Sequence, residues 1–181
     1  MWVKDDLLIV EMKTKVNDLE GVRSKLSLLD AKYIGEFHQI DTYFETSEGR
    51  LKLRETNSQD YAEIIFYERP DIAKIKKSHI LLIRARPPDI AKKLLDKFLP
   101  TKLVVEKTRE IYTLEKIRVH LDQVKGLGAF VELERPTKDE IGEINKSKSM
   151  LANIGAELGF KDEDFEALSY ADLLDRPPLA L

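Results

Sequence analysis

Apolar and polar residues alternate along much of this chain, as in strands that bury one face. In residues 8–16, Val10 and Met12 lie on the apolar face, while Glu11 and Lys13 lie on the other. The same period of two predicts seven further strands, at residues 37–44, 51–55, 62–69, 80–86, 103–114, 116–123 and 129–134. Short turns separate the strands, so we expect hairpins rather than parallel crossovers.

Helical signals interrupt the strands in the first half of the chain. Asn17 and Glu20 have the spacing of a helix N-terminus, and residues 18–29 follow with an apolar stripe. A second helix is predicted at residues 90–98, with Asp89 as its cap.

Two more helical signals follow in the second half. Thr137 and Glu140 have the spacing of a capping box, and apolar residues recur at helical spacing from 141 to 158. A last helix is predicted from residue 165 to 174, ending before Pro177. Eight strands without a βαβ rhythm, with four helices, predict an α+β fold with a closed eight-stranded antiparallel sheet.

Composition narrows the class of protein. With 181 residues, 43% of them hydrophobic and 35% charged, the chain is long enough for one domain spanning residues 1–181. The 30 basic and 33 acidic residues nearly cancel, so we expect no nucleic acid partner. The apolar runs are too short to span a bilayer, so we expect no membrane partner and a cytoplasmic location.

The residue types also limit the possible metal chemistry. The chain has no Cys, which excludes disulfides, thiolate nucleophiles and Cys zinc sites. His38, His79 and His120 lack the close spacing of a zinc-binding helix, and His120 is predicted to lie on a strand surface. A metal site is therefore expected to use oxygen ligands.

Basic residues fall in phase on one strand after another. They are Lys13 and Lys15, Lys52 and Arg54, Arg69, Arg84 and Arg86, Lys107 and Arg109, and Arg118. One interpretation is that each faces solvent, as on a half-buried sheet. The other is a charged interior, because acidic residues share this phase on few strands, at Glu11, Glu132 and Glu134. Three carboxylates can hold Mg²⁺ or Mn²⁺ while basic side chains clamp a triphosphate.

Seven segments carry a resemblance to a known family. They are residues 10–13 (VEMK), 39–44 (QIDTYF), 51–55 (LKLRE), 67–70 (YERP), 105–109 (VEKTR), 121–134 (LDQVKGLGAFVELE) and 169–174 (SYADLL). In these segments the chain resembles the CYTH superfamily of triphosphate tunnel metalloenzymes, and its class IV adenylyl cyclase-like branch in particular. The resemblance implies an eight-stranded barrel with a charged interior and helices packed outside.

The resemblance also implies roles for individual residues. It makes Glu11, Glu132 and Glu134 ligands of Mg²⁺ or Mn²⁺, with Asp122 a further contributor. Catalytic roles fall on Glu11, Lys13 and Glu134. The implied triphosphate-binding residues are Lys13, Lys52, Arg54, Arg69, Lys76, Lys107 and Arg109. For Lys76 the competing interpretation is an exposed loop lysine. The implied substrate is a small-molecule triphosphate, and a homodimer is compatible with the resemblance.

One position departs from the family pattern and leaves three functions open. The family's Glu-x-Glu-x-Lys signature begins here with Ile9, which is expected to weaken a second metal site. The leading hypothesis is cyclisation of ATP to cyclic AMP and pyrophosphate. The alternatives are hydrolysis of tripolyphosphate, thiamine triphosphate or a nucleoside triphosphate, and a non-catalytic triphosphate-binding module.

Five other residues are predicted to be structural. Tyr43, Phe44 and Tyr170 are expected to pack in the core or at the rim rather than to stack on a base. Ser169 and Asp172 are expected to anchor a helix rather than to act in catalysis.

Overall fold

The computed structural model describes residues 4–176. Its strands are β1 (Lys4–Val16), β2 (Lys32–Phe44), β3 (Arg50–Thr56), β4 (Ala62–Glu68), β5 (Lys76–Ala85), β6 (Thr101–Leu114), β7 (Ile117–Val124) and β8 (Gly128–Thr137). Its α-helices are α1 (Glu20–Leu28), α2 (Pro88–Phe98), α3 (Ile141–Glu157) and α4 (Tyr170–Leu174).

The eight strands form one closed barrel in the order β1-β5-β4-β3-β2-β6-β7-β8. Every pairing in the ring is antiparallel. The predicted α+β class and closed eight-stranded antiparallel sheet are confirmed. Because each strand alternates inward and outward positions, the charged phase of one strand faces the charged phases of the others.

The largest apolar cluster lies outside the barrel, under α1 and α3. Val10 and Met12 on the outer face of β1 belong to it, together with Leu26 of α1 and Leu151 of α3. All four are at most 2% exposed. The outer face of the sheet therefore supplies the hydrophobic core, which leaves the inner face free to carry polar groups.

The first two helices begin differently from the prediction. Asp18, not Asn17, accepts hydrogen bonds from the first two backbone N–H groups of α1, at 2.9 and 3.1 Å. Helix α2 begins at Pro88, so Asp89 lies inside it and its carboxylate instead accepts a hydrogen bond from Lys93 at 3.1 Å. Proline suits the first helical position because its missing N–H would have no partner there.

The capping box predicted at Thr137 is wrong. Thr137 is the last residue of β8, and the residue preceding α3 is Glu140, without a side-chain cap. The hydroxyl of Thr137 instead accepts a hydrogen bond from Ser147 of α3, at 3.0 Å. This contact fixes α3 against the end of the strand.

The last helix is also shorter than predicted. Phe165 forms a β-bridge with Thr14, and the N–H of Glu166 donates to the Lys13 carbonyl at 2.8 Å, so this segment runs along β1 instead of coiling. Helix α4 begins only at Tyr170. Ser169 and Asp172 form a reciprocal capping box at its start, which confirms their predicted anchoring role. The stop predicted at Pro177 lies outside the described residues.

Within residues 4–176, none of the helices combines the length and the apolar character that a membrane span requires.

Candidate functional site

The barrel encloses a cavity of about 540 Å³ that every strand helps to line. Inward positions of the strands supply it with most of the charged residues singled out in the sequence. Its lining includes Glu11, Lys13, Lys52, Arg54, Arg69, Arg109, Glu132 and Glu134. Two further lysines, Lys76 and Lys107, are each 2% exposed and belong to the strands of the same barrel. The charged phases of the strands thus converge on one space.

Asp41 of β2 organises one cluster of cations. Its carboxylate accepts hydrogen bonds from Lys107 at 2.8 Å, from Lys52 at 3.0 Å, and from Nε and a terminal nitrogen of Arg54 at 2.7 and 2.9 Å. Burial alone would raise the pKa of Asp41, but the three cations hold it well below its usual range. The cluster has more positive than negative charge, which suits it to a further anion.

Sequence reasoning gave Asp41 no role, although it lies in one of the seven family-like segments. Its inward phase on β2, between Gln39 and Tyr43, was the available signal. A carboxylate facing an interior of lysines and arginines is expected to pair with them.

Arg109 of β6 organises a second cluster. Its guanidinium donates to Asp122 through Nε at 2.6 Å and through a terminal nitrogen at 2.5 Å, and the same terminal nitrogen donates to Glu132 at 2.5 Å. The Tyr170 hydroxyl donates to Asp122 at 2.7 Å. Asp122 is 0% exposed, and its oxygens are occupied by these contacts. Asp122 therefore orients Arg109, and among the described residues it belongs to no cluster of potential metal ligands.

Lys13 links this second cluster to helix α4. Its ammonium lies 3.3 Å from Glu132, donates to the Leu168 carbonyl at 3.1 Å and sits 3.9 Å from the centroid of the Tyr170 ring. Burial lowers the pKa of Lys13 against the attraction of Glu132. The residues before and within α4 therefore position a cation of the cavity as well as closing the fold.

Lys76 is not the exposed loop lysine of the competing interpretation. It is the first residue of β5, and its ammonium donates to the carbonyls of Ile72 at 3.1 Å and Ala167 at 2.8 Å. Glu11, its backbone partner across β1 and β5, forms an ion pair with Arg69. Both residues therefore belong to the charged wall of the barrel.

Glu132 and Glu134 of β8 form a cluster of potential metal ligands together with His120, to which the sequence analysis gave no metal-binding role. One ligand atom from each of His120, Glu132 and Glu134 lies within 4.8 Å of the others. His120 is 5% exposed, so the prediction that it lies on a strand surface is wrong. The pairing of β7 with β8 places His120 directly opposite Glu132. Glu11 is not in the group, although it is the backbone partner of Glu134.

The pKa of Glu132 reflects the charged groups around it. Burial alone would raise its pKa, but Lys13 and Arg109 hold the pKa of its carboxyl well below the usual range. Glu132 is therefore a carboxylate at neutral pH, and a carboxylate is the form that binds a divalent cation.

Apolar side chains line another part of the same cavity. They are Leu7, Ile9, Ile65, Ile80, Leu82, Ile111 and Pro136. The strand register sets Leu7 beside Ile80 and Ile9 beside Pro136, so the patch is continuous across β8, β1 and β5. Ile9 occupies the inward position next to Glu11. The cavity can thus hold a ligand that is anionic at one end and apolar at the other.

The end of the barrel under α4 is filled by aromatic residues. Tyr43, Tyr67, Phe130 and Tyr170 belong to one buried cluster, and the Phe130 and Tyr170 rings meet edge to face at 5.1 Å. Tyr43, Tyr170 and Phe44 are at most 5% exposed, which confirms their predicted packing. Helix α4 therefore packs across this end of the cavity.

Comparison with known proteins supplies further findings. The CYTH domain profile matches residues 8–170. The curated protein "Putative adenylate cyclase MJ0240" of Methanocaldococcus jannaschii is 31% identical in an alignment that covers 92% of this chain and 98% of that protein. The solved structure of the PH1012 protein from Pyrococcus horikoshii OT3 is 28% identical, with a TM-score of 0.81 over 91% of this chain and 98% of its own. The PH1819 protein of the same organism is 25% identical, with a TM-score of 0.74 over 92% of this chain and 97% of its own.

Proposed function

The chain belongs to the CYTH domain family, and on that premise we propose that it is a metal-dependent adenylyl cyclase that converts ATP to cyclic AMP and pyrophosphate. The observation that carries the proposal is the composition of the cavity. Buried cations, carboxylates and an apolar patch share one space of about 540 Å³. A nucleoside triphosphate combines a polyanionic chain with an apolar ring system, so it matches both parts of the lining.

The cations suit the triphosphate because partner groups already orient them. Asp41 holds Lys52, Arg54 and Lys107, while Asp122 holds Arg109. Donors fixed before the ligand arrives stabilise negative charge without reorganising during the reaction. We propose these residues, with Lys13, Arg69 and Lys76, as the triphosphate-binding set.

The residues of β8 fit a divalent metal. Glu132 and Glu134 supply carboxylate oxygens, the donors that Mg²⁺ and Mn²⁺ accept, and the buried Nδ1 of His120 faces them. When bound, such an ion neutralises charge that develops on phosphate oxygens. The proposed metal ligands are Glu132 and Glu134, with Glu11 as the third carboxylate.

The reaction itself requires an attack by the 3′ hydroxyl on the α-phosphorus. The bond from the α-phosphorus to the bridging oxygen breaks, and pyrophosphate leaves towards the cations. The hydroxyl proton passes to a carboxylate. Glu11 and Glu134 are opposite each other in the register of β1 and β8, and we propose them for this role, with Lys13 as the nearby cation.

Ile9 favours a second candidate, a module that binds triphosphates without turnover. It places a buried aliphatic side chain at the inward position next to Glu11. One carboxylate fewer leaves less negative charge with which to hold a second ion.

The protein is expected to form cyclic AMP from ATP with Mg²⁺ or Mn²⁺. Glu134→Ala is expected to lower the rate of this reaction by about 100-fold or more, because removing one group that stabilises the charge developing in a transition state has an effect of this size. The measurement follows cyclic AMP, pyrophosphate and orthophosphate from ATP, tripolyphosphate and thiamine triphosphate. Glu157→Ala, on the exposed face of α3, is the matched control. Orthophosphate without cyclic product would replace the cyclase by a hydrolase, and binding without turnover would support the module.

ATP binding is expected to weaken as pH rises above 7. Burial lowers the pKa of Lys107 to about 7 and that of Lys52 to about 8. A bound polyanion favours the ammonium form, so binding above these pKa values takes up protons, and affinity falls about tenfold per pH unit for each lysine that must be protonated. Calorimetry of metal-free ATP binding at pH 8, in two buffers of different ionisation enthalpy, measures the uptake directly.

Protonation of ATP itself does not contribute to the proton uptake measured at pH 8. A terminal phosphate loses its last proton near pH 6, so ATP is fully ionised at pH 8. Lys107→Met is expected to reduce the number of protons taken up. Binding at pH 8 without proton uptake would contradict the expectation.

The remaining sequence predictions stay proposals. We propose that residues 1–181 form a single CYTH-like domain, located in the cytoplasm and able to form a homodimer.

A further inference from the structure

His120 is a buried polar residue without an ordinary structural role. It is 5% exposed, and its Nδ1 has no hydrogen-bond partner among the described residues. A buried nitrogen left without a partner costs stability, so native structures rarely retain one without a reason. The neighbouring aliphatic positions on β7, such as Val119, face the outer core instead.

The position of Nδ1 is that of a metal ligand. It lies 3.6 Å from Glu134 Oε1 and 3.8 Å from Glu132 Oε2. These separations are too long for hydrogen bonds. They suit atoms that share an ion, because ligands each about 2.1 Å from one metal lie roughly 3 to 4 Å apart.

An alternative is that His120 is an imidazolium that neutralises the two carboxylates. Glu132 already has two cationic partners, since Lys13 lies 3.3 Å away and Arg109 2.5 Å away. A neutral imidazole leaves its lone pair available to a metal.

We infer that His120 binds the divalent metal directly through Nδ1, beside the carboxylates of the proposed site, and that this nitrogen ligand makes the centre prefer Mn²⁺ to Mg²⁺. The inference rests on the metal site of the proposed function and adds a ligand to it. Mg²⁺ favours oxygen ligands and retains its water, whereas imidazole nitrogen suits first-row transition metals. A nitrogen ligand therefore shifts the selectivity of an otherwise carboxylate site.

Pulsed electron paramagnetic resonance of bound Mn²⁺ tests the nitrogen ligand without any turnover. The spectrum of the wild-type protein is expected to show coupling to one ¹⁴N nucleus, which ¹⁵N-labelled histidine replaces by the ¹⁵N coupling. His120→Gln is expected to abolish this coupling. It should also weaken Mn²⁺ binding by about tenfold or more and Mg²⁺ binding by less than about threefold, since only the first ion gains from the nitrogen.

Two variants separate this inference from the metal site itself. His79→Gln changes an exposed histidine of β5 and should leave both affinities and the coupling unchanged. Glu134→Ala should weaken binding of both ions. Mn²⁺ that depends on Glu134 but shows no histidine coupling would overturn the inference and leave the proposed site intact. A wild-type protein that binds no Mn²⁺ would overturn both, and the isotope experiment needs no variant to fold.

Discussion

Asp41→Asn is expected to lower the free energy of unfolding of the ligand-free protein by about 3 to 5 kcal/mol, the usual cost of removing one partner from a buried charge cluster. Lys52, Arg54 and Lys107 all donate to this carboxylate, which is 1% exposed. An amide has the same size but no charge, so three cations would remain close together in the barrel wall. Denaturation with urea, monitored by circular dichroism, measures the change.

A polyanion should reverse much of this loss. Tripolyphosphate supplies negative charge to the same cations, so it is expected to stabilise Asp41→Asn more than it stabilises the wild type. Asp89→Asn is the matched control, because Asp89 pairs with Lys93 on the exposed face of α2. Its effect should be far smaller than that of Asp41→Asn, because an exposed ion pair contributes little to stability. A loss of less than about 1 kcal/mol in Asp41→Asn would show that the cluster is not held by its carboxylate.

Arg109→Lys is expected to weaken tripolyphosphate binding by about 10-fold to 100-fold, because one charge-assisted hydrogen bond contributes roughly 1.5 to 3 kcal/mol. Lysine keeps the charge but cannot bind Asp122 through two arms while also reaching Glu132. The ammonium would follow one carboxylate, and the remaining guanidinium donors would be lost from the cavity lining. Calorimetric titration at pH 7 measures the affinity.

A second forked arginine provides the control for this substitution. Arg23 of α1 binds Glu110 through Nε and a terminal nitrogen, on the outside of the barrel. Arg23→Lys makes the same chemical change away from the cavity, so affinity should stay within about twofold of the wild type. Equal losses in the two variants would indicate that Arg109 acts through stability rather than through the ligand.

The strands were predictable because their signal is local. Alternation such as that from Val10 to Lys13 needs only two-residue spacing, and it survives into the barrel without change. Helix starts were less predictable because several residues can satisfy the same backbone N–H groups. At residues 165–169 a contact with β1 overrode the helical pattern, as the bridge between Phe165 and Thr14 shows.

The candidate site was likewise predictable in part from local patterns. The phase of each strand placed Lys52, Arg109 and the acidic residues of β8 on one inner surface, whereas their partners depend on which strands become neighbours. His120 faces Glu132 only because β7 pairs with β8 in one register. Ligands that come from two different strands have no fixed spacing along the chain, so a search for the spacing of zinc ligands does not find them. Asp41 escaped notice for the same reason, since its three cations come from β3 and β6.

The aromatic cluster under α4 makes the two ends of the cavity different. With Tyr170 and its aromatic neighbours filling one end, a long ligand enters through the other and leads with the group that lies deepest. That group is also the last to depart. For a reaction that splits its substrate in two, we expect the fragment nearer the mouth to leave first, and the fragment nearer α4 to inhibit the next round competitively.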